Sequence, residues 1–118
     1  MTDIYPRSSP EISHKRRSLA PSQQSAFDAF SKAVFAEGAL SAKFKQIIAL
    51  AVAHVTQCPY CINGHTKAAL RAGATSEELM EAIWVAAEMR AGGAYAHSAL
   101  MITTLTEATE KSSKHPPE

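Results

Sequence analysis

The chain has 118 residues, of which 46% are hydrophobic, so its length and composition predict one domain with a small core. Twelve Lys and Arg residues against 11 Asp and Glu give a formal net charge of +1, which is not the strongly basic balance typical of nucleic-acid-binding proteins. No stretch is long and apolar enough to span a membrane, and the first residues lack the apolar core of a signal peptide, so we expect a cytoplasmic protein.

The N-terminal segment, residues 1–20, shows neither a helical nor a strand period. It contains Pro6, Pro10 and several serines. We therefore predict an extended arm over residues 1–20, followed by one domain over residues 21–110. The polar segment 111–118, which contains two consecutive prolines, is expected to be a frayed C-terminal tail.

Three helices are predicted in the first part of the domain. The first helix begins near Pro21 with an apolar stripe and ends at Gly38. The second begins near Ser41 and is apolar almost all round, so we expect it to be central. The third begins at Pro59, because proline suits the first helical position, and ends at Gly73.

Two further helices are predicted after Gly73. Thr75 and Glu78 form the pattern of a capping box, which predicts the start of a fourth helix. That helix is expected to end before Gly92-Gly93, and a final helix is expected from about residue 94 to residue 110. No segment alternates as a strand does, so the sequence predicts an all-α bundle of about five to six helices.

A pair of cysteines stands at the predicted start of the third helix, in the motif Cys58-Pro59-Tyr60-Cys61. Unpaired N–H groups and the helix dipole favour a thiolate at such a position. His65 lies one helical turn after Cys61 on the same face, where it can take the thiol proton. The pattern favours a redox dithiol in which Cys61, deeper in the first turn and closer to His65, is predicted to be the more acidic and more reactive thiol.

Two other uses of the cysteines carry less weight. A zinc site would use the donor types found in His54, Cys58, Cys61 and His65. On one helix the first and last of these residues would lie roughly 16 Å apart, too far to bind the same ion. A structural disulfide would close a minimal loop and remove little entropy from the unfolded chain. We therefore expect no metal and no cofactor.

Three parts of the sequence together resemble the AhpD-like alkylhydroperoxidase branch of the carboxymuconolactone decarboxylase family. They are KQIIALAVA over residues 45–53, the Cys58-x-x-Cys61-x-x-x-His65 motif, and AALRAGATSEELMEA over residues 68–82. The resemblance covers roughly residues 26–108 and implies an all-α fold that assembles into trimers or hexamers. It also implies that Cys61 attacks a peroxide, that Cys58 resolves the resulting sulfenic acid into a disulfide, and that His65 belongs to a proton relay. Electrons would come from a dithiol protein of the lipoyl or thioredoxin type.

The chain departs from that family at the relay. The resemblance implies a glutamate at a position where this chain has Gln46, and an amide can orient an imidazole but cannot accept a proton. His54, one turn before Cys58, and Tyr60, between the cysteines, are further candidates for a supporting role. Four more side chains could fold nearby: Glu77, Glu81, Glu88 and His97.

Two functions remain open. The first is a thiol-dependent peroxidase that reduces small hydroperoxides. The alternative is a family member without peroxidase activity, such as a lactone decarboxylase or a thiol-bearing interaction or sensor module. The dithiol favours the first, because the family's decarboxylase members act without such a motif.

A homo-oligomer is expected, most simply a hexamer or a trimer. A chain of this length has a limited core, yet apolar side chains recur on more than one helix face, and large exposed apolar patches mark association surfaces. The residues concerned are Phe27, Phe30, Phe35, Trp84, Met89, Tyr95 and Met101.

Overall fold

The computed structural model describes residues 4–114 and consists of five α-helices. They are α1 (Pro10–Leu19), α2 (Pro21–Phe35), α3 (Ala42–Thr56), α4 (Pro59–Arg71) and α5 (Ser76–Lys114). Residues 4–114 contain no strand, so the predicted all-α class and number of helices are confirmed.

The extended arm predicted over residues 1–20 is wrong for residues 10–19, which form α1. The backbone N–H of Ile12 donates a 3.2 Å hydrogen bond to the Ser9 side chain, and Pro10 occupies the first helical position. These are local start signals. None of the α1 residues is buried, so the helix lacks the apolar stripe on which the prediction relied. The first three residues of the predicted arm lie outside the described residues.

The core lies where α3 packs against α4 and α5. Its buried residues, Leu50, Ala69, Ala74 and Leu79, come from these helices and from the segment between α4 and α5, and the partly buried Ile47 and Ile62 pack against them. The central position predicted for the second helix, here α3, is therefore confirmed.

The connection between α3 and α4 is short and places the two cysteines at the junction of these helices. α3 ends at Thr56, and Gln57 adopts the left-handed conformation, with φ 57° and ψ 48°. Cys58 is extended, with φ −98° and ψ 105°, and is the N-cap of α4. With only two residues between the helices, the start of α4 lies beside the end of α3.

The last helix, α5, begins with the predicted capping box. The N–H of Glu78 donates to the Thr75 hydroxyl at 3.1 Å, and the N–H of Thr75 donates to the Glu78 carboxylate at 2.8 Å. The predicted break at Gly92-Gly93 is wrong, because α5 runs unbroken to Lys114. Each glycine costs a helix only about 1 kcal/mol, and no proline stands between Gly93 and Lys114 to end it. The first part of the predicted tail, residues 111–114, is thus helical, and the rest lies outside the described residues.

The chain is elongated and leaves much apolar surface uncovered. Its radius of gyration is 22.2 Å, whereas a compact domain of about 100 residues has a value of about 13 Å. On α5 the exposed fraction of the side chain reaches 66% for Trp84 and 82% for Tyr95. No described helix combines the length and the apolar composition needed to cross a membrane.

Candidate active site

The two cysteines lie within hydrogen-bonding distance of each other at the start of α4. The backbone N–H of Cys61 donates to the Cys58 sulfur at 3.2 Å, so the Cys58 side chain caps the helix. Pro59 occupies the first helical position, where no N–H is required. Both thiols are free and half-buried.

The hydrogen bonds between the two cysteines shift the pKa values of the two thiols in opposite directions. The pKa of Cys58 is lowered, mainly because its sulfur accepts a hydrogen bond from the Cys61 thiol, and further by the N–H groups of Cys61 and Tyr60. The same thiol hydrogen bond, together with burial, raises the pKa of Cys61. These directions run against the prediction that Cys61 is the more acidic thiol. The N-terminal donors of α4 point at the N-cap sulfur, not at the sulfur one turn further on.

The imidazole of His65 is held from two sides. Its Nδ1 atom lies 2.7 Å from the Gln46 side-chain oxygen on α3. Because an amide oxygen only accepts, Nδ1 donates in this bond, which in the neutral imidazole leaves the lone pair on Nε2. The Phe35 ring, at the end of α2, stacks on the imidazole with ring centroids 5.3 Å apart. Gln46 therefore orients His65, while the Nε2 atom remains able to take a proton.

Cys61 and His65 both line an apolar cleft of about 500 Å³ beside α3 and α4. Most of the remaining wall is aliphatic or aromatic, and includes Val34, Phe35, Leu40, Ile48 and Val52. The same two residues also line a second, shallower cleft with Gln46 and Tyr60. Cys58 lines neither of these clefts, so Cys61 is the thiol that a bound apolar molecule would meet.

The other two candidates for a supporting role are engaged elsewhere. The Tyr60 hydroxyl donates to the backbone oxygen of Pro6 at 2.9 Å, and its ring packs edge-on against Tyr5. Tyr60 therefore ties the N-terminal arm to α4. The Nδ1 atom of His54 bonds to the Leu50 carbonyl of its own helix at 2.8 Å, and its ring lines a different cleft.

The acidic side chains considered from the sequence are absent from the lining of both clefts that hold Cys61. Glu77, Glu81 and Glu88 line neither of the clefts that hold Cys61. His97 donates to, or accepts from, no side chain near the site, and its Nδ1 atom bonds to the Gly93 carbonyl of α5 at 2.7 Å. No group of three or more His, Cys, Asp or Glu side chains able to hold a metal ion occurs among the described residues.

Two contacts at the site were not predicted from the sequence. Phe35 was expected among the apolar residues of an association surface, but it stacks on His65. The Lys45 ammonium donates to the Ala36 carbonyl at 2.6 Å and so fixes the segment between α2 and α3 at the edge of the apolar cleft. Both contacts join residues from different elements, and no local spacing rule indicates them.

Sequence comparisons match this chain to one family model and to a similar protein. A model described as "Carboxymuconolactone decarboxylase family" matches residues 21–104. A Paracoccus denitrificans protein described as "Uncharacterized protein 4 in cox locus" is 57% identical over 108 residues, which span 91% of this chain and 96% of that protein.

Structural comparisons agree with the sequence comparisons. A carboxymuconolactone decarboxylase family protein from Legionella pneumophila, solved in its apo form, is 37% identical with a TM-score of 0.62, and the match covers 64% of this chain and 68% of that one. A protein from Methanobacterium thermoautotrophicum is 36% identical with a TM-score of 0.68, over 71% of this chain and 94% of that one.

Proposed function

Because the chain belongs to the carboxymuconolactone decarboxylase family, we propose that it is a thiol-dependent peroxidase that reduces hydroperoxides through Cys61 and Cys58. One observation carries this proposal: Cys61 lines an apolar cleft together with His65 and is hydrogen-bonded to the second thiol. A nucleophile, a resolving thiol and a proton acceptor are the groups that such a reaction needs.

The first step forms the nucleophile and uses it. The Cys58 thiolate, which has the lower pKa, takes the Cys61 proton through the hydrogen bond that the thiols share. The Cys61 thiolate then attacks the terminal oxygen of the hydroperoxide. A sulfur–oxygen bond forms, the oxygen–oxygen bond breaks, and Cys61 becomes a sulfenic acid while an alkoxide leaves.

The second step closes the disulfide. Cys58 gives up the proton that it received from Cys61, and His65 Nε2 passes this proton to the alkoxide. An alcohol and a Cys58 thiolate result. This thiolate attacks the Cys61 sulfur, a sulfur–sulfur bond forms, and hydroxide leaves. The hydroxide becomes water by taking back from solvent the proton that Cys58 released when it first ionised. Two thiols and one hydroperoxide have become a disulfide, an alcohol and water.

A reduced dithiol protein, of lipoyl or thioredoxin type, would restore the enzyme. Its thiolate attacks the disulfide, a mixed disulfide forms, and its second thiol releases the reduced Cys58 and Cys61. A compartment with a reducing thiol pool, such as the cytoplasm, suits this cycle.

A thiol titration tests the proposed function. We expect that one equivalent of an alkyl hydroperoxide removes both free thiols, and that mass spectrometry then finds Cys58 and Cys61 joined within one chain. A serine variant at both positions is the control for non-specific oxidation. If both thiols survive the hydroperoxide, the function is one that does not use the dithiol, such as lactone decarboxylation or an interaction role.

Changing Gln46 to glutamate should make the protein a faster peroxidase. A carboxylate that accepts the Nδ1 hydrogen of His65 would raise the basicity of the imidazole, and proton transfer by positioned side chains contributes roughly 10²- to 10⁴-fold to rates. We expect about a ten-fold faster loss of thiols with an alkyl hydroperoxide at neutral pH, an estimate at the low end because the imidazole is already present. Gln23→Glu on the exposed surface of α2 is the matched control. An unchanged or slower rate in Gln46→Glu would contradict a relay through His65.

The proposed enzyme is a homo-oligomer, as a trimer or a hexamer. Its support is the apolar surface that α5 leaves uncovered, where Leu100 is 67% and Leu105 is 56% exposed. Light scattering at micromolar concentration should give three or six times the chain mass of 12.7 kDa. Leu100→Glu should reduce that mass, because a buried unpaired charge opposes association. A mass of one chain for the unaltered protein would refute this expectation.

A further inference from the structure

A third cleft, of about 980 Å³, lies between α4, the end of α3 and the N-terminal arm. α4 contributes Pro59, Ile62, Asn63, Thr66 and Lys67, α3 and its C-cap contribute His54 and Gln57, and the arm contributes Arg7 and Ser8. No step of the proposed peroxidase reaction uses this cleft.

The cleft is separated from the apolar cleft by the body of α4. Residues three or four apart share a helix face, so Pro59, Asn63 and Lys67 lie on one face of α4. Cys61 and His65 lie on the opposite face, where they line the apolar cleft. This third cleft, which we call the polar cleft, is therefore a site distinct from that of the dithiol, although Pro59 directly follows Cys58 in the chain.

The charged groups of this cleft are cationic. Arg7 and Lys67 line it, and no aspartate or glutamate does. The ion pairs found among the described residues, Arg17–Asp28 and Lys43–Glu78, involve neither of these two cations. Positive side chains that line a concave surface without counter-charges attract an anion, and they do so most strongly at low ionic strength.

Gln57 gives a second and independent indication. It is the only described non-glycine residue with a positive φ, and the left-handed conformation favours glycine at this helix-ending position. The chain nevertheless has glutamine there, and its side-chain amide lines the cleft. Side chains kept in an unfavourable backbone conformation cluster at binding sites, and an amide can both donate to and accept from a ligand.

We propose that this cleft is a second binding site, for a small organic anion with a carboxylate or phosphate group. Arg7 and Lys67 bind the charged group through charge-assisted hydrogen bonds. The amides of Gln57 and Asn63 bind polar atoms of the ligand, and its uncharged body packs against Pro59 and Ile62. Binding here does not depend on the reactivity of the dithiol, so the inference stands apart from the proposed peroxidase activity.

Calorimetry of the full chain with inorganic phosphate and with succinate, at constant ionic strength, tests this site. We expect saturable binding, and the tighter of the two probes identifies the preferred charged group. Lys67→Gln and Arg7→Gln should each weaken that binding about ten-fold, as expected for the loss of a hydrogen bond to a charged group. Lys15→Gln, on the exposed surface of α1, is the matched control and should leave the affinity unchanged.

Gln57→Gly separates binding from folding. Glycine adopts the left-handed conformation without strain, so the variant should unfold at the same or a higher temperature while binding the anion more weakly. Unchanged affinity in both Lys67→Gln and Gln57→Gly would overturn the proposal. So would an equal loss in Lys15→Gln, or the absence of saturable binding of either probe at millimolar concentration.

Discussion

Replacing Cys61 with serine should lower the rate of hydroperoxide reduction by at least about 10³-fold, because a serine hydroxyl is not ionised near neutral pH and cannot replace the attacking thiolate. Cys58→Ser should lose turnover and should carry out the first chemical step more slowly, because no Cys58 thiolate is present to take the Cys61 proton. In that variant one equivalent of hydroperoxide should leave a sulfenic acid on Cys61 that a dione probe traps and mass spectrometry locates.

The converse experiment decides between two assignments of the cysteines. Hydrogen bonds from Cys61 lower the pKa of Cys58. Cys61 is the thiol that lines the apolar cleft. If Cys61→Ser accumulates a sulfenic acid on Cys58 at the wild-type rate, the low pKa of Cys58 decides which thiol attacks the peroxide. Cys58 is then the attacking thiol and Cys61 the resolving thiol. The variant with serine at both positions should yield no trapped product.

His65→Asn should slow the reaction about 10²-fold. The asparagine amide can still donate to the Gln46 oxygen, but it has no group that takes up a proton as Nε2 does. Loss of a positioned proton-transfer group costs roughly 10²- to 10⁴-fold. The measurement is the second-order rate of thiol loss with an alkyl hydroperoxide across neutral pH, because a relay through His65 also shapes the pH profile.

Two other histidines provide controls for this variant. His97→Asn, on the exposed surface of α5, should react at the wild-type rate. His54 lies in the polar cleft, on the other side of α4 from the apolar cleft. A loss in His54→Asn as large as that in His65→Asn would place the proton relay on that other side and contradict the proposed path.

Local signals in the sequence predicted those parts of the fold that depend on neighbouring residues. The capping box of Thr75 and Glu78 and the helix start at Pro59 are complete within a few residues, and both occur as predicted. α1 was missed because its start at Pro10 has local signals but no apolar stripe. The predicted helix end at Gly92-Gly93 was wrong because two glycines weaken a helix without ending it.

The site shows the same division between local and tertiary information. Spacing alone placed Cys61 and His65 on one face of α4. The contact of His65 with Gln46 joins residues 19 positions apart and depends on how α3 packs against α4. The pKa of Cys58 is lowered mainly by the hydrogen bond that its sulfur accepts from the Cys61 thiol, and further by the backbone donors that point at this N-cap sulfur.

The N-cap position of Cys58 also bears on how easily a disulfide between Cys58 and Cys61 would be reduced. The N–H of Cys61 and the thiol beside it stabilise Cys58 most when its sulfur carries a negative charge, and that charge disappears in the disulfide. Interactions that favour the thiolate therefore stabilise the reduced protein over the oxidised one and raise the reduction potential of the couple. A couple with a higher potential accepts electrons from a wider range of dithiol donors. In the proposed redox couple, the N-cap position of Cys58 therefore favours the reduced dithiol over the disulfide.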